Sequence, residues 1–276
     1  MNQDNKKTGL SPLHIDATTL PDAWYQTVYK CIESARDFII DRGSYEGEKR
    51  LEFDYITIHI KKPGIKPLLP QIPSQYSLPN PVSDDYLDGY LPYIMTGELK
   101  PGESYTYGQR ICKYEIPFGD KDSYNSSEYK DILLQEEEVW NNDAIVIKED
   151  NKIYLNQMEL LIWTYKNRGF RNNQMVMQVA HPTDMLLLDP PCLRSIDTRI
   201  QDGKLHFIIY FRSWDLWGGF PANLAAIQMM KEYIAAEIGV EDGEIIASSK
   251  GLHIYDYVWE LAECIRGKTI EEFRNP

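Results

Sequence analysis

The stretch from Lys204 to Glu244, KLHFIIYFRSWDLWGGFPANLAAIQMMKEYIAAEIGVEDGE, constrains this chain most. Its opening reads as a strand. After Gly218 and Gly219, the residues Leu224, Ile227, Met230 and Ile234 recur at the spacing that lines one face of a helix. Pro221 suits a first helical position, where its missing N–H costs nothing. A helix starting there exposes free N–H groups and the positive end of its dipole, and the preceding strand delivers Arg212 and Ser213 to the neighbourhood of Asn223. That combination is a candidate pocket for an anion and an amide-bearing ring.

Helices and strands are mixed elsewhere too. In DAWYQTVYKCIESARDFIIDRG, the residues Trp24, Val28, Cys31, Ile32 and Ala35 mark a helix with Gly43 as its natural stop. RLEFDYITIHIKKPG alternates and predicts one strand. The proline-rich run from Pro63 to Pro81 reads as a long surface connection rather than a flexible linker. Ser83 can cap a helix in DDYLDGYLPYIMTG, against the weakening effect of Gly89 and Pro92, and LNQMELLIWTYKNRG predicts another that ends at Gly169. NQMVMQVA, CLRSIDTRI and KLHFIIYFRSW are β-rich, the last two joined by Asp202 and Gly203, and predict an antiparallel sheet.

With 276 residues, 43% of them hydrophobic, the chain can bury a substantial core as one large domain or two modest ones. No run approaches the roughly 18 apolar residues of a membrane span, and MNQDNKKTGLSPLH lacks the apolar core of a signal peptide, so a cytoplasmic location is expected. A net charge of -13 disfavours broad capture of nucleic acid, and a small anionic substrate would need a local cluster of arginines. Cys31, Cys112, Cys192 and Cys264 are too scattered for a metal site or a disulfide framework, which predicts reduced thiols.

One of these cysteines stands apart. In LLLDPPCLRSIDTRI, Pro190 and Pro191 impose an extended, poorly hydrogen-bonded approach and hold Cys192 at the mouth of a strand. Alone it is either a small core residue or a nucleophile, since free cysteine is among the most buried residue types. Arg-Ser at a strand end, Gly-Gly and HIY have equally plain readings as a surface pair, a turn and a strand with a buried tyrosine. Their order carries more than any one of them.

PPC, then FRSWD, then GGFPANLA, then GLHIYDY resemble, in order and spacing, the thymidylate synthase and deoxycytidylate hydroxymethylase family, whose usual wording is close to PPC, QRSxD, GxPxN and HxY. The resemblance runs from Asn173 to Cys264; upstream, DRGSYEG and YTYGQR resemble the family's phosphate loop and its tyrosine-bearing segment. It implies an α/β fold, with a large mixed sheet layered with helices. The chain would form a single domain over 1–276, with 1–18 a less ordered extension, and a homodimer through the sheet face.

The same resemblance implies roles for residues. Carbon 5 of a uracil ring is a poor nucleophile until a thiolate adds at carbon 6, and Cys192 would supply that thiolate. A thiol of ordinary pKa, ~8.5, needs a neighbouring cation to ionise at neutral pH, and Arg212 is the matching candidate. Tyr107 would assist proton movement at carbon 5. Arg42 and Ser213 would join Arg212 on the substrate phosphate, Asn223 would pair with the base, and His253 and Tyr255, two apart on one strand face, would hold the sugar hydroxyl. Asp215 and Gly219 would meet the folate. The implied cosubstrate is 5,10-methylenetetrahydrofolate and the implied substrate a pyrimidine nucleoside 5′-monophosphate, with no metal, no DNA and no membrane as partner.

The chain also departs from the pattern. Leu193 stands where histidine is usual and Phe211 where glutamine is usual. The family's paired arginines, donated across the dimer, would fall near Asn172 and Asn173, with only Arg168 and Arg171 close by; Glu103 is the candidate general-base carboxylate; Cys31, Cys112 and Cys264 are expected to be structural. After His253 only a short tail remains, as in the shorter-tailed, archaeal-type branch. Three functions stay open. They are dUMP methylation, C5 hydroxymethylation of a cytidine or uridine nucleotide, and noncatalytic binding of a nucleotide or RNA. A short tail favours admission of water and hence hydroxymethylation, Asn223 fits uracil, and a binder needs neither Cys192 nor Arg212.

Overall fold

The computed structural model describes residues 9–41, 45–116, 137–150 and 152–267. Strand β1 (Pro12–Ala17) runs parallel to β4 (Tyr55–Ile60) and buries Ile15 and Ala17. The expected loose extension over 1–18 is therefore corrected: its second half is an edge strand, ordered by ladder pairing with β4. Helix α1 (Leu20–Ser34) starts at Thr19, whose hydroxyl accepts the Asp22 N–H at 3.3 Å, and it stops at Ser34 rather than Gly43. The next residues form β2 (Arg36–Ile39), antiparallel to β3 (Lys49–Glu52). Phe38 and Ile39 fit a pleated strand better than a helix end once a partner strand is present.

RLEFDYITIHI is two strands in two sheets. Leu51 and Phe53 are buried, and then Ile56, Ile58 and Ile60, so the buried phase flips at Asp54. Asp54 anchors that break by accepting the Ser11 N–H at 2.8 Å and pairing with Arg36 at 2.8 Å. A shift of one residue exchanges the two faces of a strand, which is why one continuous strand cannot serve both sheets.

β8 (Val176–Gln178), β9 (Leu193–Gln201), β10 (Lys204–Phe211) and β12 (Glu241–Ser249) complete a six-stranded sheet in the order β1-β4-β12-β10-β9-β8. β8, β9 and β10 are antiparallel as expected, and the tight turn at Asp202 and Gly203 places both residues at positive φ, 52° and 74°. β1 with β4 and β10 with β12 are parallel, so the sheet is mixed.

Helices α2 (Asp84–Met95), α3 (Tyr107–Cys112), α4 (Glu137–Trp140), α5 (Gln157–Arg168), α6 (Gly219–Ile238) and α7 (Trp259–Arg266) follow α1 in the chain. The caps at Ser83 and at Gly169 fall where the sequence places them. Helix α6 buries Leu224, Ile227, Met230 and Ile234 beside Leu205, Phe207 and Ile209 of β10 in one core; such side chains contribute roughly 1.5–3 kcal/mol each. Ile208 and Ile246 point to the opposite sheet face and stay exposed. The proline-rich run is more than a surface connection, since Leu68, Leu69 and Ile72 are buried in the core.

A second sheet, β11 (Trp214–Asp215), β13 (Leu252–Tyr255), β3 and β2, carries several of the predicted site residues. A small third one joins β5 (Tyr114–Glu115), β7 (Lys152–Leu155) and β6 (Val146–Glu149). Cys31 and Cys112 are buried, but Cys264 is exposed on α7, so the structural role expected for it is withdrawn. No described helix is long and apolar enough to cross a membrane.

Candidate active site

Cys192 lies half-buried one residue before β9, where the Pro-Pro pair delivers it. The Arg212 N–H donates to the Cys192 carbonyl at 2.8 Å, tying the end of β10 to the cysteine. The guanidinium folds back over the same loop. Its Nε donates to the Pro190 and Pro191 carbonyls at 3.2 Å each, and its Nη2 reaches the Pro190 carbonyl and, at 3.3 Å, Asp189. Burial pushes the Cys192 thiol up; Arg212 and Arg194 pull it down, Asp189 pushes it further up, and the balance is upward. Burial outweighs the pull of Arg212, and the sulfur is held as a thiol.

A rank of tyrosines closes one side of the site. Tyr86, Tyr90 and Tyr93 recur on one face of α2 and, with Tyr107, line a cavity of about 690 Å³. Tyr86 and Tyr90 stack with centroids 6.1 Å apart, Tyr90 and Tyr93 stack at 5.4 Å, and Tyr93 meets Tyr107 edge-on at 5.8 Å. The Tyr107 hydroxyl accepts the N–H of Leu193, next to the cysteine, at 3.4 Å; burial, and then the adjacent Cys192, push its pKa far up and keep it a neutral phenol. Such a cavity can stack a flat heterocycle, and its size suits a small-molecule ligand. Glu103 lines the same cavity and accepts the Lys100 N–H at 2.8 Å.

Asn223, in the first turns of α6, turns both ends of its amide toward side chains. Its Oδ1 accepts from Trp214 Nε1 at 2.9 Å, and its Nδ2 donates to the Tyr90 hydroxyl at 2.7 Å. One N–H and one lone pair of the amide remain for a base. Trp214 is held in turn by near-parallel stacking on Phe211, 3.9 Å between centroids.

Asp215 sits beside His253 in the parallel β11–β13 register. Its carboxylate accepts the N–H groups of Trp217 at 3.2 Å, Gly218 at 3.0 Å and Gly219 at 2.7 Å. The open helix terminus expected as an anion pocket is therefore corrected: Asp215 takes two of its donors, the N–H groups of Gly218 and Gly219, and the helix starts at Gly219, which leaves Pro221 third rather than first. A side chain at Gly219 would meet Asp215 Cβ at 3.2 Å. The expected meeting of Asp215 and Gly219 with folate now has to share these groups with a cap.

His253 is buried, with Nδ1 against the Gly251 carbonyl at 2.8 Å and Nε2 without a partner among the described residues. A carbonyl only accepts, so Nδ1 carries the proton and Nε2 offers a lone pair. Burial lowers its pKa to about 4. Tyr255 packs edge-on against His253 with centroids 4.7 Å apart and meets Tyr45 at 4.6 Å, as expected for two residues on one strand face. The structure thus gathers Cys192, Arg212 and Tyr107 on one side and Asp215, His253 and Tyr255 on another, while the dipeptide Trp214-Asp215 links the second group to Asn223. Ser213 lies half-buried between β10 and β11. Arg42 lies outside the described residues. Arg168 and Arg171 are exposed at the end of α5 and just beyond it.

The two departures from the family wording face each other. Leu193 and Phe211 are cross-strand partners in the β9–β10 register, and both are fully buried. A polar pair has been exchanged for an apolar one beside the nucleophile, with no buried polar atom left over at either position.

Sequence reasoning missed the Asp184 hub. Asp184 accepts the His181 N–H at 2.8 Å, Arg110 at 2.9 Å and Arg194 at 3.2 Å. Burial would raise its pKa, but the amide and the two guanidiniums outweigh burial and hold it low. Arg194 also donates to the Pro191 carbonyl at 3.2 Å, so the hub braces the cysteine loop. A short motif cannot reveal partners so far apart in the chain. The tyrosines of α2, by contrast, were readable as a stripe at helical spacing. Among the described residues, no cluster of three or more His, Cys, Asp or Glu side chains is placed to hold a metal ion.

The thymidylate synthase family model matches residues 105–272, and the chain belongs to that family. It is similar to a protein named "Putative thymidylate synthase" from Methanosarcina acetivorans, 26% identical over 251 residues that cover 91% of this chain and 93% of that one. A protein of the same name from Methanothermobacter thermautotrophicus is 24% identical over 258 residues, covering 90% and 96%. The match takes in YTYGQR as well as the segment from Asn173 to Cys264.

Proposed function

We propose that this protein transfers a one-carbon unit from 5,10-methylenetetrahydrofolate to carbon 5 of a pyrimidine nucleoside 5′-monophosphate, converting dUMP to dTMP. The observation that carries this reading is the joining of Cys192 and Arg212 by the 2.8 Å backbone bond, next to Tyr107 and its cavity. Cys192 Sγ adds to carbon 6, and the double-bond electrons move toward carbon 5 and the carbonyl at position 4. Carbon 5 attacks the methylene carbon and then loses its proton as the bond from that carbon to the folate nitrogen breaks, leaving an exocyclic methylene. Hydride from the tetrahydrofolate so released adds to the methylene as sulfur departs and the ring double bond re-forms, giving the methyl group and dihydrofolate. Arg212 and Ser213, with Arg42, hold the phosphate; His253 Nε2 accepts the sugar O–H, which would satisfy the lone pair that has no partner among the described residues. The tyrosine-lined cavity receives the folate ring, and Asp215 and Gly219 also meet the folate. Binding of the phosphate draws Arg212 off the proline carbonyls and brings its charge to bear on the thiol.

The exposed sheet face with Ile208 and Ile246 supports a homodimer, and the protein acts in the cytoplasm. Tritium release from dUMP labelled at carbon 5, followed together with the dihydrofolate absorbance, tests the reaction. Release with dihydrofolate is the expected result. Release without dihydrofolate means hydroxymethylation, and no release from any pyrimidine monophosphate means a noncatalytic binder.

A further inference from the structure

The Tyr90 hydroxyl is a polar group to which the family pattern assigns no role, and it lies at the join between Asn223 and the cavity. Trp214 Nε1 can only donate, so the Asn223 atom 2.9 Å from it is the amide oxygen, and the amide nitrogen faces Tyr90 at 2.7 Å. An amide nitrogen has no lone pair to give. Tyr90 Oη therefore accepts in this bond, and its own proton remains unspent, since Asn223 is its one hydrogen-bond partner among the described residues. Burial, first, and the crowd of neighbouring tyrosines Tyr107, Tyr93 and Tyr86 keep it a neutral phenol and hence a donor. A phenol places its proton in the plane of its ring, opposite the incoming Asn223 N–H. Tyr90 lines the cavity, so that proton is presented beside the amide that faces the base.

We propose that Tyr90 is a specificity-determining residue that donates its O–H to the oxygen at position 4 of the pyrimidine, so that the site takes a 4-oxo ring and rejects a 4-amino ring. This rests on the reading of the site as a pyrimidine-nucleotide site. A 4-amino group would meet a donor with a donor and leave both unpaired, the situation by which polar sites discriminate strongly. Adding sulfur at carbon 6 moves negative charge onto that oxygen, so the bond strengthens as the reaction proceeds and Tyr90 contributes to turnover as well as to selection. Through the Trp214–Asn223–Tyr90 chain the amide is also held in one of its two orientations before substrate arrives.

The test is equilibrium binding of dUMP and dCMP to the wild type and to Tyr90→Phe, which keeps the ring and its stacking, together with dUMP turnover. Wild type is expected to prefer dUMP, and the variant to lose about tenfold of that preference and about ten- to a hundredfold of kcat/KM for dUMP. Unchanged preference and turnover in a folded variant overturn the role of Tyr90 while leaving the proposed reaction standing. A wild type that binds neither nucleotide overturns the reaction itself, and the role of Tyr90 with it. Thermal melting reports folding; if the phenylalanine variant is unfolded, Tyr90→Met is measured with the same two outcomes.

Discussion

The Arg212 guanidinium and the Asp189 carboxylate lie 3.3 Å apart across the loop that ends at Cys192. The cation that would favour a thiolate is therefore partly engaged by an anion that opposes one. Removing the anion shifts the balance. Asp189→Asn is expected to lower the Cys192 pKa and raise the rate of alkylation by iodoacetamide at pH 8 by about two- to fivefold, a modest change because the Asp189 side chain is 83% exposed. An unchanged rate would mean that Asp189 does not act on the sulfur.

Cys192→Ala should abolish tritium release and covalent capture of 5-fluoro-dUMP, while the protein still unfolds cooperatively and still binds dUMP. The residue is half-buried at the edge of the core, so its loss removes little packing. Mass spectrometry after denaturation checks the adduct, and calorimetry checks the fold. Retained turnover in the variant would assign the chemistry to another group.

His253 links stability to pH. Its folded pKa is lowered to about 4, whereas an exposed histidine titrates near ~6.5. Between those values the unfolded chain takes up a proton that the folded protein refuses, so stability is complete above pH ~6.5 and is lost as pH falls toward 4, by up to ~3 kcal/mol. Urea unfolding from pH 7 to pH 4 should show this slope, and His253→Gln should flatten it. An equal slope in both proteins would place the titration elsewhere.

Asp184→Ala leaves Arg110 and Arg194 without their shared carboxylate. Asp184 is 1% exposed, so the loss should cost about 3 kcal/mol in urea unfolding, at the lower end for a broken buried pair because both arginines retain some solvent. The Pro190–Cys192 loop should also become more open to protease. A loss below 1 kcal/mol would show that the hub is not a brace.

What the amino-acid order determined by itself was local and chemical. The apolar stripe of Leu224, Ile227, Met230 and Ile234, the caps at Ser83 and Gly169, and the Asp202-Gly203 turn all follow from backbone geometry within a few residues, and all are where that geometry puts them. The order of PPC, FRSWD, GGFPANLA and GLHIYDY was likewise enough to point to the family. Tertiary structure alone decided which groups are already spoken for. It broke one expected strand at Asp54, turned Asp215 inward to cap α6, spent the Arg212 guanidinium on proline carbonyls and brought Tyr90 to Asn223 across 133 positions of chain. Periodicity states which face of an element is apolar; it cannot state which distant donor meets which acceptor, because that depends on how whole elements pack.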